Sequence, residues 1–246
     1  MIRRSLGIAR SLVIYWRPGR QRSLRRLYAP FVAPGDVVFD VGAHLGDRTA
    51  AFSALGARVV ALEPQPHLVP WLRRLVGSRP GVTIVEGAAG PAVGTARLAV
   101  SEGTPTVSTL AGAWRQRIRT ENPTFDAIRW ETTVDVPVTT LDVLIERHGV
   151  PAFCKIDVEG FEAEVLAGLS HPVSALSVEF VAGGLDVAIA CIQRLVTLAE
   201  YRFNVVLGEG RSFVFEDWMD ADRATEWIET GAGGASSGDL YARRPA

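Results

Sequence analysis

The chain of 246 residues carries 26 basic and 27 acidic side chains, and 48% of its residues are hydrophobic. A chain of this length and composition buries a core unaided, which excludes disorder, a collagen-like repeat and a disulfide scaffold. We expect Cys154 and Cys191 to be small core residues of an intracellular protein. No apolar run approaches the roughly 18 residues of a spanning helix, so we predict a cytoplasmic protein without an integral membrane segment.

Charge is distributed unevenly along the chain. Residues 1–35 contain eight arginines and no acidic residue, which leaves the remainder with 18 basic and 27 acidic groups. An acidic body repels phosphates, so we predict that the protein is not a general nucleic-acid binder. Lys155 is the only lysine, which singles it out for attention.

The predicted elements alternate between strands and helices along most of the chain. Short apolar runs bounded by turn residues predict strands at 37–42, 58–63, 82–87, 95–100, 152–157, 175–180, 202–208 and 239–244. Helical spacing predicts helices from about Gly46, over 67–77, 139–149, 159–169 and 186–200, and near 217–228. This alternation predicts an α/β fold with a parallel sheet covered on both faces.

Residues 101–139 break the alternation. They are too long for a tight connection, so we interpret them as either a functional insertion or a mobile loop. Trp114, Phe125 and Trp130 lie within this segment. They would form either a satellite core or a substrate lid.

Residues 1–30 predict a basic amphipathic helix that precedes a single domain at 31–246. Arginines recur at every seventh position, and the apolar stripe consists of Leu6, Ala9, Val13 and Trp16. We expect this helix to pack on the domain or to form the contact of a homodimer. The alternative is contact with a membrane surface or a lipidic substrate.

The first strand ends in a glycine-containing loop, Asp40 to Gly46, which opens a helix. Gly42 allows a sharp turn, and Gly46 would let a ligand approach the helix N-terminus, whose free N–H groups attract negative charge. Glu63 ends the second strand about twenty residues further on, where an acid accepts both hydroxyls of a ribose. The loop and the acid together predict a nucleotide-like ligand.

The residues of the loop separate the candidate ligands. The dinucleotide motif G-x-G-x-x-G requires a glycine where His44 stands, and the G-K-[ST] of a P-loop does not occur. S-adenosylmethionine (SAM) carries a ribose, an α-amino group and a sulfonium but no phosphate, so it suits Asp40 and Glu63. An NAD-dependent dehydrogenase is the first alternative, and a catalytically silent Rossmann-like binding protein is the second.

Several segments resemble signatures of the FkbM family of SAM-dependent methyltransferases, over about residues 36–180. These segments are VFDVGAHLGDRT, VVALEPQP, TTLDVLIERHG, FCKIDVEGFEAEVLAGL and LSVEF. The resemblance implies a Rossmann-like class I methyltransferase fold with a seven-stranded, mostly parallel sheet whose last strand is antiparallel. It also implies O-methylation of a hydroxyl on a sugar, a polyketide or another small molecule.

The predicted cofactor site follows from the loop and the strand ends. Pro64 and Ala88, at the ends of the second and third strands, would line the adenine. The residues expected to hold the cofactor are Asp40, Gly42, Ala43, His44, Gly46 and Glu63.

Ionisable side chains are predicted to form the catalytic site. Lys155, Asp157 and Glu159 alternate at the end of one strand, and Glu179 ends the next. In the family's sheet these strands are neighbours, so the four groups would converge beside the cofactor. Asp157 and Glu159 would orient the acceptor hydroxyl and take its proton. A divalent metal is possible there, but acids on two strand ends give a thin coordination set, so we favour a metal-free site.

Each of these residues also has a purely structural interpretation. Asp157 would cap the following helix, and Glu159 would be an ordinary acid of its first turn. Glu179 would form an ion pair with Lys155, and His44 would only hydrogen-bond within its loop. The remaining histidines lack metal-ligand spacing and are interpreted as structural: His67, His148 and His171.

Overall fold

The computed structural model of the chain describes residues 2–245. Its helices are α1 (Ile2–Tyr15), α2 (Arg20–Tyr28), α3 (Asp47–Ala54), α4 (Val69–Val76), α5 (Gly112–Glu121), α6 (Leu141–His148), α7 (Glu162–Ala167), α8 (Leu185–Leu198) and α9 (Ala221–Glu229). Its strands are β1 (Val37–Val41), β2 (Arg58–Glu63), β3 (Val82–Glu86), β4 (Ala88–Ala89), β5 (Gly94–Val100), β6 (Thr132–Thr139), β7 (Phe153–Ile156), β8 (Ala175–Val181), β9 (Arg202–Leu207) and β10 (Ser237–Arg243).

Seven strands form one sheet in the order β3-β2-β1-β7-β8-β10-β9. The first five of these pair in parallel, whereas β10 lies between β8 and β9 and runs antiparallel to both. All residues of β1 and β7 are buried, as expected for central strands that helices cover on both sides. The predicted Rossmann-like fold, with a seven-stranded, mostly parallel sheet and an antiparallel last strand, is confirmed.

Helices cover the two faces of this sheet through separate apolar clusters. On one face, α6 to α9 pack against side chains such as Phe39 and Val178. On the other face, α2 and α3 pack against Phe153 and Tyr241. Cys154 and Cys191 are free and buried in the first cluster, as the sequence predicted.

A second, three-stranded sheet in the order β4-β6-β5 accounts for the break in the alternation. The predicted strand at 95–100 belongs to this small sheet, and its partner β6 lies inside the segment interpreted as an insertion or mobile loop. The loop interpretation is therefore wrong, since 101–139 contains both α5 and β6. Its aromatic residues form a satellite core, in which Trp114 and Phe125 are buried and Trp130 is partly buried.

The amino-terminal segment forms two helices rather than one, and of its predicted apolar stripe only Trp16 packs against the body of the protein. Leu6 and Val13 are 64% and 74% exposed, whereas Ile8 is buried. Ile8 packs with Leu12 and Trp16 against residues of α4 and the loop before α3. The buried face of α1 is thus rotated from the predicted one, because the surface beneath a helix selects the face that it buries. In the part of the chain that is described, no helix combines the length and the apolar character needed to cross a bilayer.

Candidate active site

A crevice opens at the carboxyl edge of the large sheet, where parallel α/β sheets bind their ligands. Its empty volume is about 1040 Å³, the open mouth included, which suits a small molecule. The loops after β1, β2, β7 and β9 and the start of β10 form its walls, together with α1 and residues of the 101–139 segment. It therefore combines strand ends with two segments outside the strand–helix alternation.

The glycines of the loop after β1 have two different roles. Gly42 has a φ of 82°, and a Cβ there would collide with the Asp157 carbonyl oxygen, so the loop and the end of β7 are in close contact. A Cβ at Gly46 would lie 2.7 Å from Leu72 Cδ1, so this glycine serves the packing of the loop on α4. Gly46 is not among the residues described as lining the crevice, and its contact with a ligand stays a prediction.

Two other predicted cofactor residues are buried outside the described lining of the crevice. Asp40 is 1% exposed, and its Oδ2 accepts a hydrogen bond from Thr49 Oγ1 at 2.5 Å. Ala43 is buried in an apolar cluster beneath the loop. Neither residue belongs to the described lining of the crevice, and their contacts with a cofactor stay predictions. Asp40 Oδ1 is buried without a hydrogen-bond partner among the described residues.

Glu63 lies at the crevice wall with its carboxylate held from both sides. Its Oε2 accepts the His44 backbone N–H at 2.8 Å, and its Oε1 accepts that of Gln65 at 2.9 Å. Each oxygen retains a second lone pair for another donor. Burial raises the pKa of Glu63 to about 7, against the opposing effect of these two hydrogen bonds.

His44 also lines the crevice, in a left-handed conformation with a φ of 52°. The Tyr15 ring contacts its imidazole edge-on, with centroids 5.4 Å apart. Burial lowers the pKa of His44 to about 4, so the ring is neutral at pH 7. Its buried Nε2 has no hydrogen-bond partner among the described residues, which leaves this atom available to a ligand.

Apolar side chains form the wall next to Glu63. Pro64 and Ala88, predicted to line the adenine, both lie there, and Leu62 and Leu98 extend the surface. Such a wall suits a flat, apolar ligand surface. The remaining histidines, His67, His148 and His171, are not among the residues described as lining the crevice.

Three of the four predicted catalytic residues converge in the crevice. Single carboxylate oxygens of Asp157, Glu159 and Glu179 lie within 4.8 Å of one another. Lys155 is 1% exposed and lies behind them, with its Nζ 2.7 Å from Asp157 Oδ2 and 3.8 Å from Asp239 Oδ1. Lys155 is therefore placed to position Asp157 and not to touch an acceptor, and its predicted ion pair with Glu179 is wrong.

The three carboxyl groups divide into one charged acid and two that burial favours as neutral. Burial opposes ionisation of Asp157, but Lys155 and Arg48 hold its pKa well below the usual range. Burial, followed by the charge of Asp157, raises the pKa of both Glu159 and Glu179. The hydrogen bond between Asp157 and Glu179 lowers the pKa of Asp157 and raises that of Glu179.

The helix-cap interpretation of these acids is also wrong. Helix α7 begins at Glu162, and its N-cap residue Phe161 makes no side-chain cap bond. Glu162 instead binds the loop, since its Oε1 accepts the Val158 N–H at 2.9 Å and the Gly160 N–H at 3.3 Å. Asp157 and Glu159 thus lie before the helix and are free to face the crevice.

The 101–139 segment holds Glu159 in an unusual conformation. Glu159 has a φ of 58°, which is uncommon for a residue with a side chain. Thr109 Oγ1 donates a hydrogen bond to the Glu159 carbonyl oxygen at 2.7 Å, and Trp114 packs against the adjacent Gly160 so closely that no Cβ fits. Strain held by such contacts is typical of functional sites.

Sequence reasoning missed several crevice residues: Tyr15, Arg48, Gln65, Glu209 and Asp239. A signal existed for Asp239, because the first residues of an antiparallel strand lie at the same edge as the last residues of its parallel neighbours. Asp239 is accordingly opposite Glu179 in the register of β10 and β8. No pattern in the sequence indicates Tyr15, which reaches the crevice only because α1 packs over the loop at His44.

Comparisons with known proteins support a family assignment. The family model of the methyltransferase FkbM domain matches residues 40–231, well over half of the chain. No curated protein matches the sequence significantly.

Solved structures with a backbone similar to that of this chain include the following three. A TehB-like SAM-dependent methyltransferase from Corynebacterium glutamicum is 11% identical, with 91% of this chain and 88% of that chain covered and a TM-score of 0.47. Precorrin-6y C5,15-methyltransferase from Geobacter metallireducens is 12% identical, with 92% and 88% covered and a TM-score of 0.46. Fibrillarin from Aeropyrum pernix, in complex with natively bound SAM, is 12% identical, with 90% and 76% covered and a TM-score of 0.45. The family match carries the assignment: the chain belongs to the FkbM methyltransferase family and has the Rossmann-like fold of SAM-dependent methyltransferases.

Proposed function

We propose that the protein is an O-methyltransferase that transfers the methyl group of SAM to a hydroxyl of a small molecule such as a sugar, a polyketide or another secondary metabolite. The observation that carries this proposal is the convergence of Asp157, Glu159 and Glu179 within 4.8 Å at the crevice. These acids lie directly beside the cofactor loop, because Gly42 contacts the Asp157 backbone. Carboxyl groups in this position suit both the binding and the deprotonation of a hydroxyl.

The residues around the loop fit SAM. The two oxygens of Glu63 are oriented by backbone N–H groups and keep lone pairs for two ribose hydroxyls. Pro64 and Ala88 offer an apolar surface to the adenine. His44 Nε2 is a buried polar atom without a hydrogen-bond partner among the described residues. A polar group of the ligand would supply the missing hydrogen bond.

The chain's own residues would orient the acceptor and manage its proton. Bound SAM supplies an electrophilic methyl group on a sulfonium. The methyl group would pass from the sulfonium sulfur to the acceptor oxygen and leave S-adenosylhomocysteine, while the proton of the hydroxyl would pass to a carboxylate of the cluster. Asp157 suits the binding of this hydroxyl, since Lys155 and Arg48 keep its carboxylate ionised.

The proposed partner is a small molecule and not a nucleic acid, because the crevice walls carry more acidic than basic groups. The proposal requires no metal. The three acids would form its ligand set if one took part, so a chelator distinguishes a metal-bridged acceptor from a direct carboxylate base. Neither the dehydrogenase nor the silent binding protein is favoured by the family match.

The experiment uses SAM labelled with ¹³C in its methyl group and a panel of sugars, glycosides and hydroxylated polyketides. The expected product carries the label as an O-methyl group in its NMR spectrum. Asp157→Asn should lose this product, whereas Glu146→Gln, an exposed acid on α6, should retain it. Label found on nitrogen or carbon would contradict O-methylation. Stabilisation of the protein by NADH, but not by S-adenosylhomocysteine or SAM, would contradict the methyltransferase itself.

A further inference from the structure

The inner face of α1 is attached to the body of the protein. Trp16 Nε1 donates a hydrogen bond to the Leu45 carbonyl oxygen at 3.2 Å, and Arg4 pairs with Glu102 at 2.6 Å. Ile8 is buried between them. These contacts define which side of α1 faces outward.

The outer face of α1 exposes apolar side chains. Leu6 and Val13 are among the most exposed large hydrophobic residues described, and Ile14 is 38% exposed. Arg10 is exposed between them on the helix, and Arg17 is exposed in the turn directly after it. We define these five residues as the outer face of α1.

The segment that carries this face contains basic side chains and no acidic ones. Residues 1–35 contain eight arginines and no acidic residue, and the exposed ones on α2 are Arg22, Arg25 and Arg26. Arg20 does not add to the exposed charge, because it is buried against Asp47 at 2.6 Å. The complementary partner is therefore an anionic surface.

An exposed tryptophan lies on α4, the helix that packs against α1. Helix α4 packs against α1 through Leu68 and Leu75, and Trp71 lies on the same side of α4, three residues from the first and four from the second. Trp71 is 39% exposed. Tryptophan at such a position is typical of side chains that lie at the level of lipid headgroups.

The geometry points to an anionic lipid bilayer as the partner of the outer face of α1. Aliphatic side chains among arginines, on a helix held parallel to the protein surface, match the pattern of helices that lie in the membrane interface. Nucleic acid would use the arginines but leave Leu6 and Val13 unburied. A second copy would bring arginines against arginines in a symmetric contact. Since Tyr15 at the end of α1 lines the crevice, this contact would place the crevice beside the bilayer.

The test uses the full chain and vesicles of phosphatidylglycerol mixed with phosphatidylcholine, compared with phosphatidylcholine alone. We expect sedimentation with the anionic vesicles only. Binding should weaken strongly at about 1 M salt, where the Debye length is about 3 Å. Failure of the wild-type protein to bind anionic vesicles at low salt would overturn the proposal.

Two outer-face variants separate lipid from other partners. Arg10→Gln with Arg17→Gln should reduce vesicle partitioning about fivefold per arginine. The triple variant Leu6→Ser, Val13→Ser, Ile14→Ser should also reduce partitioning at least tenfold. Unchanged binding by the triple variant would show a general polyanion surface and overturn the proposal. Dissociation of a wild-type dimer by the triple variant, without vesicle binding, would assign the face to a second copy instead.

The matched control lies on the opposite face of the sheet, where Arg147, Val150 and Val196 are exposed. The control variant Arg147→Gln, Val150→Ser, Val196→Ser should leave vesicle binding unchanged. If it lost as much vesicle binding as the outer-face variants, the proposal would be overturned. All variants should keep the wild-type melting temperature.

A fluorescent label tests the orientation directly. The native cysteines, Cys154 and Cys191, are buried, so Val13→Cys can be labelled selectively with a polarity-sensitive dye. Its emission should shift to the blue with anionic vesicles, whereas a label at Val150→Cys should not respond. An unresponsive label at position 13 with bound protein would contradict the proposed face.

Discussion

The two acidic ends of the crevice are built in different ways. Two backbone N–H groups hold the Glu63 carboxylate. That of Gln65 belongs to the loop after its own strand, and that of His44 belongs to the loop after the adjacent strand β1. Asp157 and Glu159 depend on distant parts of the chain, since Lys155 also contacts Asp239, and Thr109 binds the Glu159 backbone.

This difference separates a rigid end from an adjustable one. Backbone donors are little affected by side-chain substitutions. We therefore expect the hydrogen bonds to the Glu63 carboxylate to persist when neighbouring side chains are replaced. The acid cluster combines side chains from several elements whose charges shift one another's pKa, so substitutions nearby change both its geometry and its protonation. We expect the Glu63 end to govern cofactor binding and the acid cluster to govern the acceptor. The predictions below test that division.

The largest effect is expected at the acid cluster. Asp157→Asn keeps the shape of the side chain but weakens its ability to accept a proton, so kcat should fall about 10²–10⁴-fold. Glu159→Gln should also lower kcat, but it should change the cofactor affinity less than Asp157→Asn does. The reason is that the Asp157 backbone contacts Gly42 in the loop after β1. Steady-state kinetics and titration with S-adenosylhomocysteine measure the two quantities. Full activity of the double amide variant would make these acids structural.

The buried lysine should stabilise the same cluster. Lys155→Met leaves Asp157 and Asp239 without their buried cation, which should cost about 3–5 kcal/mol of unfolding free energy. Urea denaturation measures this loss. The control is Arg73→Met, which removes an exposed pair with Glu86 and should cost at most about 1 kcal/mol. Equal losses for the two variants would show that the cluster does not depend on Lys155.

The opposite end is tested through cofactor binding. Glu63→Gln should weaken S-adenosylhomocysteine binding by up to about 100-fold, because hydrogen bonds to a charged carboxylate are lost. At a ligand concentration of about 100 times the wild-type Kd, stabilisation should fall from about 2.7 to about 0.4 kcal/mol. Glu86→Gln, at the end of the neighbouring strand, serves as the control. Wild-type binding by the Glu63 variant would remove this residue from the cofactor site.

The pH dependence of binding sharpens the same assignment. Burial raises the pKa of Glu63 to about 7, so in the free protein the carboxyl is protonated below that pH. Hydrogen bonds from two ribose hydroxyls to the Glu63 carboxyl would favour its ionised form. Cofactor affinity should therefore rise with pH, by up to about tenfold per unit below pH 7, and level off above it. Isothermal titration across this range measures the slope, which Glu63→Gln should abolish. A pH-independent wild-type affinity would contradict the ionised role.

The smallest effect concerns the support from the inserted segment. Thr109→Val removes the hydrogen bond to the Glu159 carbonyl oxygen and should cost about 1 kcal/mol of stability. If that bond positions Glu159, kcat should fall several-fold while the KM for SAM stays constant. Thr120→Val, at an exposed site on α5, is the control. A change in the KM for SAM alone would contradict the division between the two ends.

Much of the fold could be predicted because the strands of the large sheet are short apolar runs. The runs at 37–42 and 152–157 became buried central strands, since helices cover both faces. Strand β6 was missed although Val134, Val136 and Val138 alternate with exposed residues. Its length and polar neighbours resembled a loop, and its partner β5 lies more than thirty residues earlier in the chain.

The sequence by itself determined the order of the elements, the loop at Gly42, the acid at Glu63 and the acids after β7, because each depends on residues close together in the chain. The tertiary structure alone decided which of them face the crevice. It left Asp40, Ala43 and Gly46 outside the described crevice lining. It placed Lys155 beneath Asp157 and Asp239 opposite Glu179. It also selected the buried face of α1. These outcomes depend on the surface that each element meets after folding, and local sequence patterns do not contain that surface.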